Sequence, residues 1–164
     1  MTQHQRFQQR LRGSWPALFT AAQWLWSKGY DLEIPALRCA PTAAEHELYA
    51  DSGDVFATRD GERKRFEITG LTVNFTGAAD WPSEFYGQAI VDRVHRFEVT
   101  KSAPPYAYIK VSKDLRYAAI ILQSTNKHWY QGSRLNKKNT GNVEDYVFCP
   151  LDAVLFTSMG GGDG

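Results

Sequence analysis

Two acidic side chains, Asp54 and Glu67, are the residues of this sequence best suited to hold a metal ion. Each stands at the start of a predicted strand, and thirteen positions separate them along the chain. Carboxylate oxygens are the hard ligands that Mg²⁺ and Mn²⁺ prefer in proteins. Two carboxylates on neighbouring strands therefore predict a divalent-cation site.

Local sequence signals predict the elements that position this pair. Asp60-Gly61, between the two predicted strands, is a strong signal for the tight turn of an antiparallel hairpin. Upstream, apolar residues at three- and four-residue steps predict a helix that runs from about residue 15 to residue 28. Alternating apolar and polar residues at 30–34 then predict a short strand. The acidic pair is expected in a helix–strand–hairpin arrangement.

The remainder of the chain is predicted to complete one domain. Three further strands are expected at residues 90–94, 106–111 and 117–122, the last apolar on both faces as in a central strand. Segments 36–50, 72–87 and 124–142 are predicted as loops, and residues 146–148 and 150–156 close the fold. We therefore expect a single α/β domain over residues 1–158 and a flexible Gly-rich tail at residues 159–164.

The composition is that of a folded chain without a strong overall charge. The 164 residues suit one domain, with 43% hydrophobic residues, 13% aromatic residues and a net charge of +1. Cys39 and Cys149 lack any spacing suited to zinc and are expected to be reduced thiols. No secretory signal is recognised, and no apolar run approaches the roughly 20 residues of a membrane span. These features predict a cytoplasmic protein without a membrane partner.

Positive charge and an aromatic side chain are concentrated in one polar segment near the C-terminal third of the chain. The candidates for binding nucleic acid are Lys127, Trp129, Arg134, Lys137 and Lys138. Lysine and arginine neutralise phosphates, and an exposed aromatic ring can stack on a base. The segment is therefore a candidate DNA-contacting loop. The alternative is an ordinary polar loop whose tryptophan packs onto the core.

The order of these elements resembles the PD-(D/E)XK phosphodiesterase superfamily, which includes restriction endonucleases and many phage nucleases. The resemblance is clearest over residues 15–71, in the helix ending Ser-Lys-Gly-Tyr, the strand Asp-Leu-Glu-Ile-Pro and the paired strands that carry Asp54 and Glu67. Residues 105–114 and 145–152 look like those of uncharacterised phage-encoded members. The resemblance implies a restriction-endonuclease-like fold, a mixed central sheet flanked by helices. It also implies that Asp54 and Glu67 ligate Mg²⁺ or Mn²⁺.

One position departs from the superfamily motif. A lysine normally stands two residues after the second acid, where it orients or activates the attacking water, and this chain has Thr69 there. Loss of such a stabiliser typically costs on the order of 10²–10³ in rate. Lys110, on a later strand, is the preferred candidate for a displaced lysine, and Lys64 and Lys101 are the alternatives.

The resemblance leaves three functions to distinguish and does not by itself decide whether the chain is an enzyme. The first is a phage-type, metal-dependent DNA endonuclease or exonuclease with a degenerate motif. The second is a catalytically inactive module of the same fold that binds DNA or a phage or host protein. The third is a structural or interaction protein of a phage. A homodimer is also open, and a phage-encoded protein would work in the host cytoplasm.

Overall fold

The computed structural model describes residues 2–35, 41–42, 54–135 and 141–160 of the chain. The helices are α1 (Gln3–Gly13), α2 (Trp15–Ser27) and the short α3 (Val94–Thr100). The strands are β1 (Asp31–Glu33), β2 (Val55–Arg59), β3 (Glu62–Gly70), β4 (Gln88–Arg93), β5 (Ala107–Val111), β6 (Tyr117–Leu122), β7 (Tyr130–Leu135), β8 (Val143–Pro150) and β9 (Leu155–Ser158). Short 3₁₀ helices lie at Ser83–Phe85, Gln123–His128 and Leu151–Ala153.

Helix α2 forms where its apolar spacing predicts it. Pro16 is tolerated because it lies in the first turn, where its missing N–H would have no partner within the helix. Gly29, just past the C-terminus, has a φ of +81°, a left-handed conformation that glycine adopts at little cost. Five buried apolar residues on one face, from Ala17 to Leu25, attach the helix to the sheet.

The central sheet has six strands in the order β1-β2-β3-β5-β6-β9. All neighbours are antiparallel except β3 and β5, which pair in parallel. The predicted β2–β3 hairpin is confirmed, and both turn residues, Asp60 and Gly61, have positive φ as a primed turn requires. The parallel pair needs a crossover, and the intervening chain contains β4 and α3.

One face of this sheet packs against α2 through an entirely apolar core. The strand residues of this core alternate along each strand, as a pleated sheet requires: Val55, Ala57, Phe66, Ile68, Ala107, Ile109, Val111, Ala118 and Ile120. The helix approaches closely at Gly70, where an added Cβ would lie 3.1 Å from the Cβ of Ala17. This layer fixes the position of β2, β3 and β5.

The opposite face is covered mainly by a second sheet, in the order β4-β8-β7. A second buried cluster joins the two sheets and contains Phe75, Ala89, Val91, Tyr108, Ala119, Ile121, Val147, Cys149 and Val154. The chain is thus a single mixed α/β domain with a mixed multi-stranded sheet. The prediction of flanking helices holds for the α2 face, whereas the other face has three strands and only the short α3.

Two segments differ from their predictions. Residues 124–142 were expected to be a loop, but the described part contains a 3₁₀ helix and strand β7, an exposed edge strand paired with β8. An edge strand needs few buried side chains, so its polar sequence resembles that of a loop. At the C-terminus, Met159 is buried in the α2 core and donates its N–H to the Arg116 carbonyl at 2.7 Å. The packed chain therefore reaches into the predicted tail, of which residues 161–164 lie outside the described residues.

Candidate active site

The β2–β3 ladder places Asp54 and Glu67 on the same face of the central sheet. The last pair of the ladder is Val55 with Phe66, and continuing this register by one residue puts Asp54 opposite Glu67. Val55 and Phe66 point toward α2, so the two acids point toward the second sheet. Asp54 is held in place because its Oδ2 accepts a hydrogen bond from the Ile68 N–H at 2.5 Å. The two predicted metal ligands are therefore neighbours across the hairpin.

Lys110 reaches the same face from the adjacent strand. The parallel register pairs Thr69 directly with Lys110, so both side chains project to one side of the sheet. The ammonium Nζ lies 3.4 Å from the Thr69 hydroxyl and donates to the Val91 carbonyl at 2.9 Å. Only 8% of Lys110 is exposed. The structure thus brings together the four residues that the sequence suggested for catalysis: Asp54, Glu67, Thr69 and Lys110.

Burial changes the acid–base character of this lysine. Loss of contact with water lowers the pKa of Lys110, because the charged ammonium is the form that burial disfavours. The carboxylates of Asp92 and Glu67 oppose this effect by favouring the charged form. The net result is a pKa below that of an ordinary lysine. Its amine is therefore a better proton acceptor near neutral pH than a solvated lysine would be.

The structure adds three residues that the sequence did not single out. Asp92 lies on β4 next to a register irregularity, and Arg96 follows on α3 with its Nε 3.9 Å from the Asp92 Oδ2. Tyr108 lies two positions before Lys110 on β5 and is buried in the second cluster. Strand alternation could have placed Tyr108 beside Lys110. The approach of Asp92 and Arg96 depends on the crossover, which no local pattern indicated.

Tyr108 has an unusual hydroxyl group. Among the described residues, its buried Oη has no hydrogen-bond partner. Leaving a buried polar group unpaired costs about 1–3 kcal/mol. Burial raises the pKa of Tyr108, and the nearby charges of Asp92 and Glu67 raise it further while Arg65 and Arg96 oppose them. The hydroxyl is therefore a neutral donor surrounded by charged side chains.

The donor set fits a magnesium ion shared with a substrate better than one enclosed by protein. Within the described residues, no group of three or more His, Cys, Asp or Glu side chains is arranged to hold a metal ion. Mg²⁺ is commonly bound by only one or two carboxylates, with water and substrate phosphate completing its octahedron. Asp54 and Glu67 can supply such a pair.

The predicted nucleic-acid loop does not form a single surface in the described part of the chain. Trp129 packs inward, with its ring centroid 6.0 Å from those of both Phe97 and Tyr108, and its Nε1 donates to the Thr125 hydroxyl at 3.0 Å. This agrees with the alternative in which the tryptophan packs onto the core. Lys127 is exposed in the 3₁₀ helix, whereas Arg134 lies on β7 with its guanidinium 5.0 Å from the Phe85 ring. Lys137 and Lys138 lie outside the described residues.

The other two candidate lysines are elsewhere. Lys64 pairs with Ala57 and therefore points to the α2 side of the sheet, where its Nζ is 4.3 Å from the Tyr106 ring centroid. Lys101 is exposed after α3, with its Nζ 3.6 Å from the Glu98 carboxylate. Of the three lysines considered for the motif position, Lys110 is the one that contacts Thr69.

The role of the site has to be argued from its own geometry. Within the described residues, no helix is both long enough and apolar enough to span a bilayer. Comparison of the chain with protein-family models, with curated proteins and with solved structures finds no match.

Proposed function

We propose that this chain is a metal-dependent DNA phosphodiesterase of PD-(D/E)XK type. Asp54 and Glu67 would hold Mg²⁺ or Mn²⁺, and Lys110 would replace the motif lysine that is missing at Thr69. The observation that carries this proposal is the register of β3 and β5, which pairs Thr69 with Lys110 and brings the Lys110 Nζ within 3.4 Å of the Thr69 hydroxyl. The positive charge is thereby supplied to the motif position from the neighbouring strand.

The fold supports the same proposal. A helix, a short strand and an antiparallel hairpin follow one another, and the hairpin then pairs in parallel with β5 in a mixed sheet. This order agrees with the restriction-endonuclease-like arrangement that the sequence resembles. The three-stranded second sheet would be an elaboration on the face that carries the acidic pair.

Each side chain has a defined task in the proposed reaction. When bound, the metal ion would polarise the scissile phosphate and lower the pKa of the attacking water. The Ile68 N–H keeps the Asp54 carboxylate oriented, and the Val91 carbonyl fixes the Lys110 amine. With its lowered pKa, Lys110 can accept a proton from the nucleophile or stabilise the charge that develops on the phosphate.

One observation favours a second candidate function, an inactive module of this fold that binds DNA or a protein. Lys110 is surrounded by Asp92, Glu67 and Asp54, and their charges oppose the lowering of its pKa. If these carboxylates keep the amine charged and paired, the cluster would be a structural ion network. The two functions differ in whether DNA is cleaved.

The test is cleavage of supercoiled and branched DNA in Mg²⁺ or Mn²⁺ by the wild type, Asp54→Asn and Glu67→Gln. Either substitution is expected to lower the rate on the order of 10²–10³-fold, because each removes charge that stabilises the transition state. The amide that Asp54→Asn introduces would keep an acceptor for the Ile68 N–H, so the hairpin should remain folded. Glu62→Gln is the matched control, since Glu62 lies on the same strand at the exposed turn.

Two results would contradict the nuclease assignment in different ways. Cleavage that both site substitutions leave unchanged would show that the acidic pair is not the metal site. DNA binding without cleavage by the wild type, in either metal, would favour the inactive binding module.

A further inference from the structure

Tyr108 provides a buried hydrogen-bond donor at the edge of the proposed active site. Only 2% of the residue is exposed, and its hydroxyl has no partner among the described residues. Trp129 packs edge-on against the tyrosine ring, and the Lys110 Nζ lies 5.7 Å from the centre of that ring. The ring is therefore held in place, with a donor that no described side chain or backbone group uses.

Two arginines approach this hydroxyl from different elements. Arg65 lies on β3, on the same face as Glu67, and its Nη2 donates to the Ala103 carbonyl at 2.8 Å in the connection between α3 and β5. Arg96 lies on α3 and is 56% exposed. Its Nε is 3.9 Å from the Asp92 carboxylate, which is too long for a hydrogen bond. The charges of both arginines act on the Tyr108 hydroxyl.

We propose that Arg65, Arg96 and the Tyr108 hydroxyl bind a phosphate of the nucleic-acid strand next to the phosphate that is cleaved. We call these three residues the phosphate clamp. The proposal rests on the proposed function for the identity of the neighbouring site. Guanidinium groups present a planar fork of donors that matches phosphate oxygens, and a phenol adds a neutral donor.

The balance of charge supports an anionic ligand once a metal ion is bound. Three carboxylates, from Asp54, Glu67 and Asp92, face three cations, from Lys110, Arg65 and Arg96. A divalent cation on Asp54 and Glu67 would make this region net positive. Two successive phosphates of one strand would then offset the excess, one at the metal and one at the phosphate clamp.

Binding without catalysis tests the phosphate clamp separately from the nuclease activity. The affinity of a labelled single-stranded oligonucleotide is measured by fluorescence anisotropy in EDTA, at several salt concentrations. Arg65→Gln and Arg96→Ala are each expected to weaken binding and to reduce the slope of log K against log salt by about 0.7, the value for one lost phosphate contact. Tyr108→Phe should weaken binding about tenfold, as expected for one hydrogen bond to a charged group, with the slope unchanged.

Matched variants distinguish a binding role from a structural one. Arg116→Ala removes an exposed arginine from the turn at the other end of β5 and should leave binding unchanged. Tyr108→Phe deletes only the unpartnered hydroxyl, so its thermal unfolding should match or exceed that of the wild type. Should Tyr108→Phe fail to fold, Arg96→Ala on the exposed side of α3 gives the same test through its salt slope.

The results separate this inference from the proposed function. Wild-type binding that none of the three substitutions weakens, or no binding by the wild type, overturns the phosphate clamp. Binding that depends on the three residues, while Asp54→Asn and Glu67→Gln leave cleavage unchanged, supports the phosphate clamp and refutes the metal site.

Discussion

The two faces of the central sheet differ sharply although they alternate along the same strands. On the α2 face, β3 and β5 contribute Phe66, Ile68 and Ile109, which are all buried and apolar. On the other face, the intervening positions hold Glu67, Thr69 and Lys110. The apolar face stabilises the strands, and the other face uses their fixed positions to bring charged groups together. The difference shows how one sheet can provide both stability and chemistry.

The charged face has an energetic cost that the apolar face must offset. Lys110 is buried as an amine whose charged form the interior disfavours, and Tyr108 keeps an unpaired hydroxyl. A domain of this size has only about 5–15 kcal/mol of net stability, so such groups are retained where the surrounding packing compensates for them. The contrast between the faces predicts that substitutions on each should have opposite consequences.

The largest effect on stability is expected on the apolar face, from Leu25→Ala. Leu25 is 1% exposed on α2, and deleting a buried leucine side chain typically lowers the free energy of unfolding by about 2–5 kcal/mol. Urea unfolding measures this change. Cleavage per folded molecule should remain close to that of the wild type, because Leu25 contacts only the α2 side of the sheet.

The neighbouring residue provides the control for this prediction. Trp26 is 63% exposed on the same helix, and Trp26→Ala should change the free energy of unfolding by no more than about 0.5 kcal/mol. Equal losses from both substitutions would show that the exposed side of α2 also contributes to packing, and would weaken the contrast between the two faces.

On the charged face, Lys110→Met should have the reverse profile. Cleavage is expected to fall on the order of 10²–10³-fold because the displaced positive charge is lost. The free energy of unfolding should stay the same or rise, since methionine fills a similar volume without burying a charge. The folded pKa of Lys110 lies below its unfolded value, so wild-type stability is reduced below the folded pKa and recovers as the pH rises toward that of an ordinary lysine.

Urea unfolding of both proteins over neutral to alkaline pH checks this profile. Any stability advantage of Lys110→Met should be greatest at the lower end of this range and shrink as the pH rises. A loss of several kcal/mol in the variant would instead indicate that Lys110 is the necessary partner of Asp92 and Glu67. The cluster would then be a structural ion network, as in the inactive binding module.

The sequence predicted the elements whose signals are local. The β2–β3 hairpin follows from Asp60-Gly61, α2 follows from its apolar period, and β6 follows from its continuous apolar run. The same local signals identified Asp54 and Glu67 as a cross-strand pair. Lys110 was the preferred lysine before its strand neighbour was known, and the β3–β5 register then placed it beside Thr69.

The features that the sequence did not predict depend on contacts distant in the chain. Strand β7 exists because its backbone pairs with β8, and its polar side chains carry little information about that pairing. Helix α3 is seven residues long, too short for a clear periodic signal. The meeting of Asp92, Arg96 and Tyr108 requires the crossover from β3 to β5 and the docking of the second sheet, and neither follows from any segment alone.

The smallest expected effect lies at the turn between β5 and β6, on neither face of the sheet. Asp114 accepts hydrogen bonds from the Ser112 hydroxyl at 2.6 Å and from the Arg116 N–H at 3.1 Å, and these bonds lower its pKa. A depressed carboxyl pKa contributes stability above the unfolded value of about 4, and this stability is lost as the pH falls through the folded pKa. Asp114→Asn should therefore be slightly less stable than the wild type at neutral pH, and the difference should vanish in acid. Urea unfolding across this pH range measures it, with Asp152→Asn as a control for removing an exposed acid. A difference that persists in acid would show that the amide distorts the turn, and that the connection between the strands, rather than the charge of Asp114, is what the substitution disturbs.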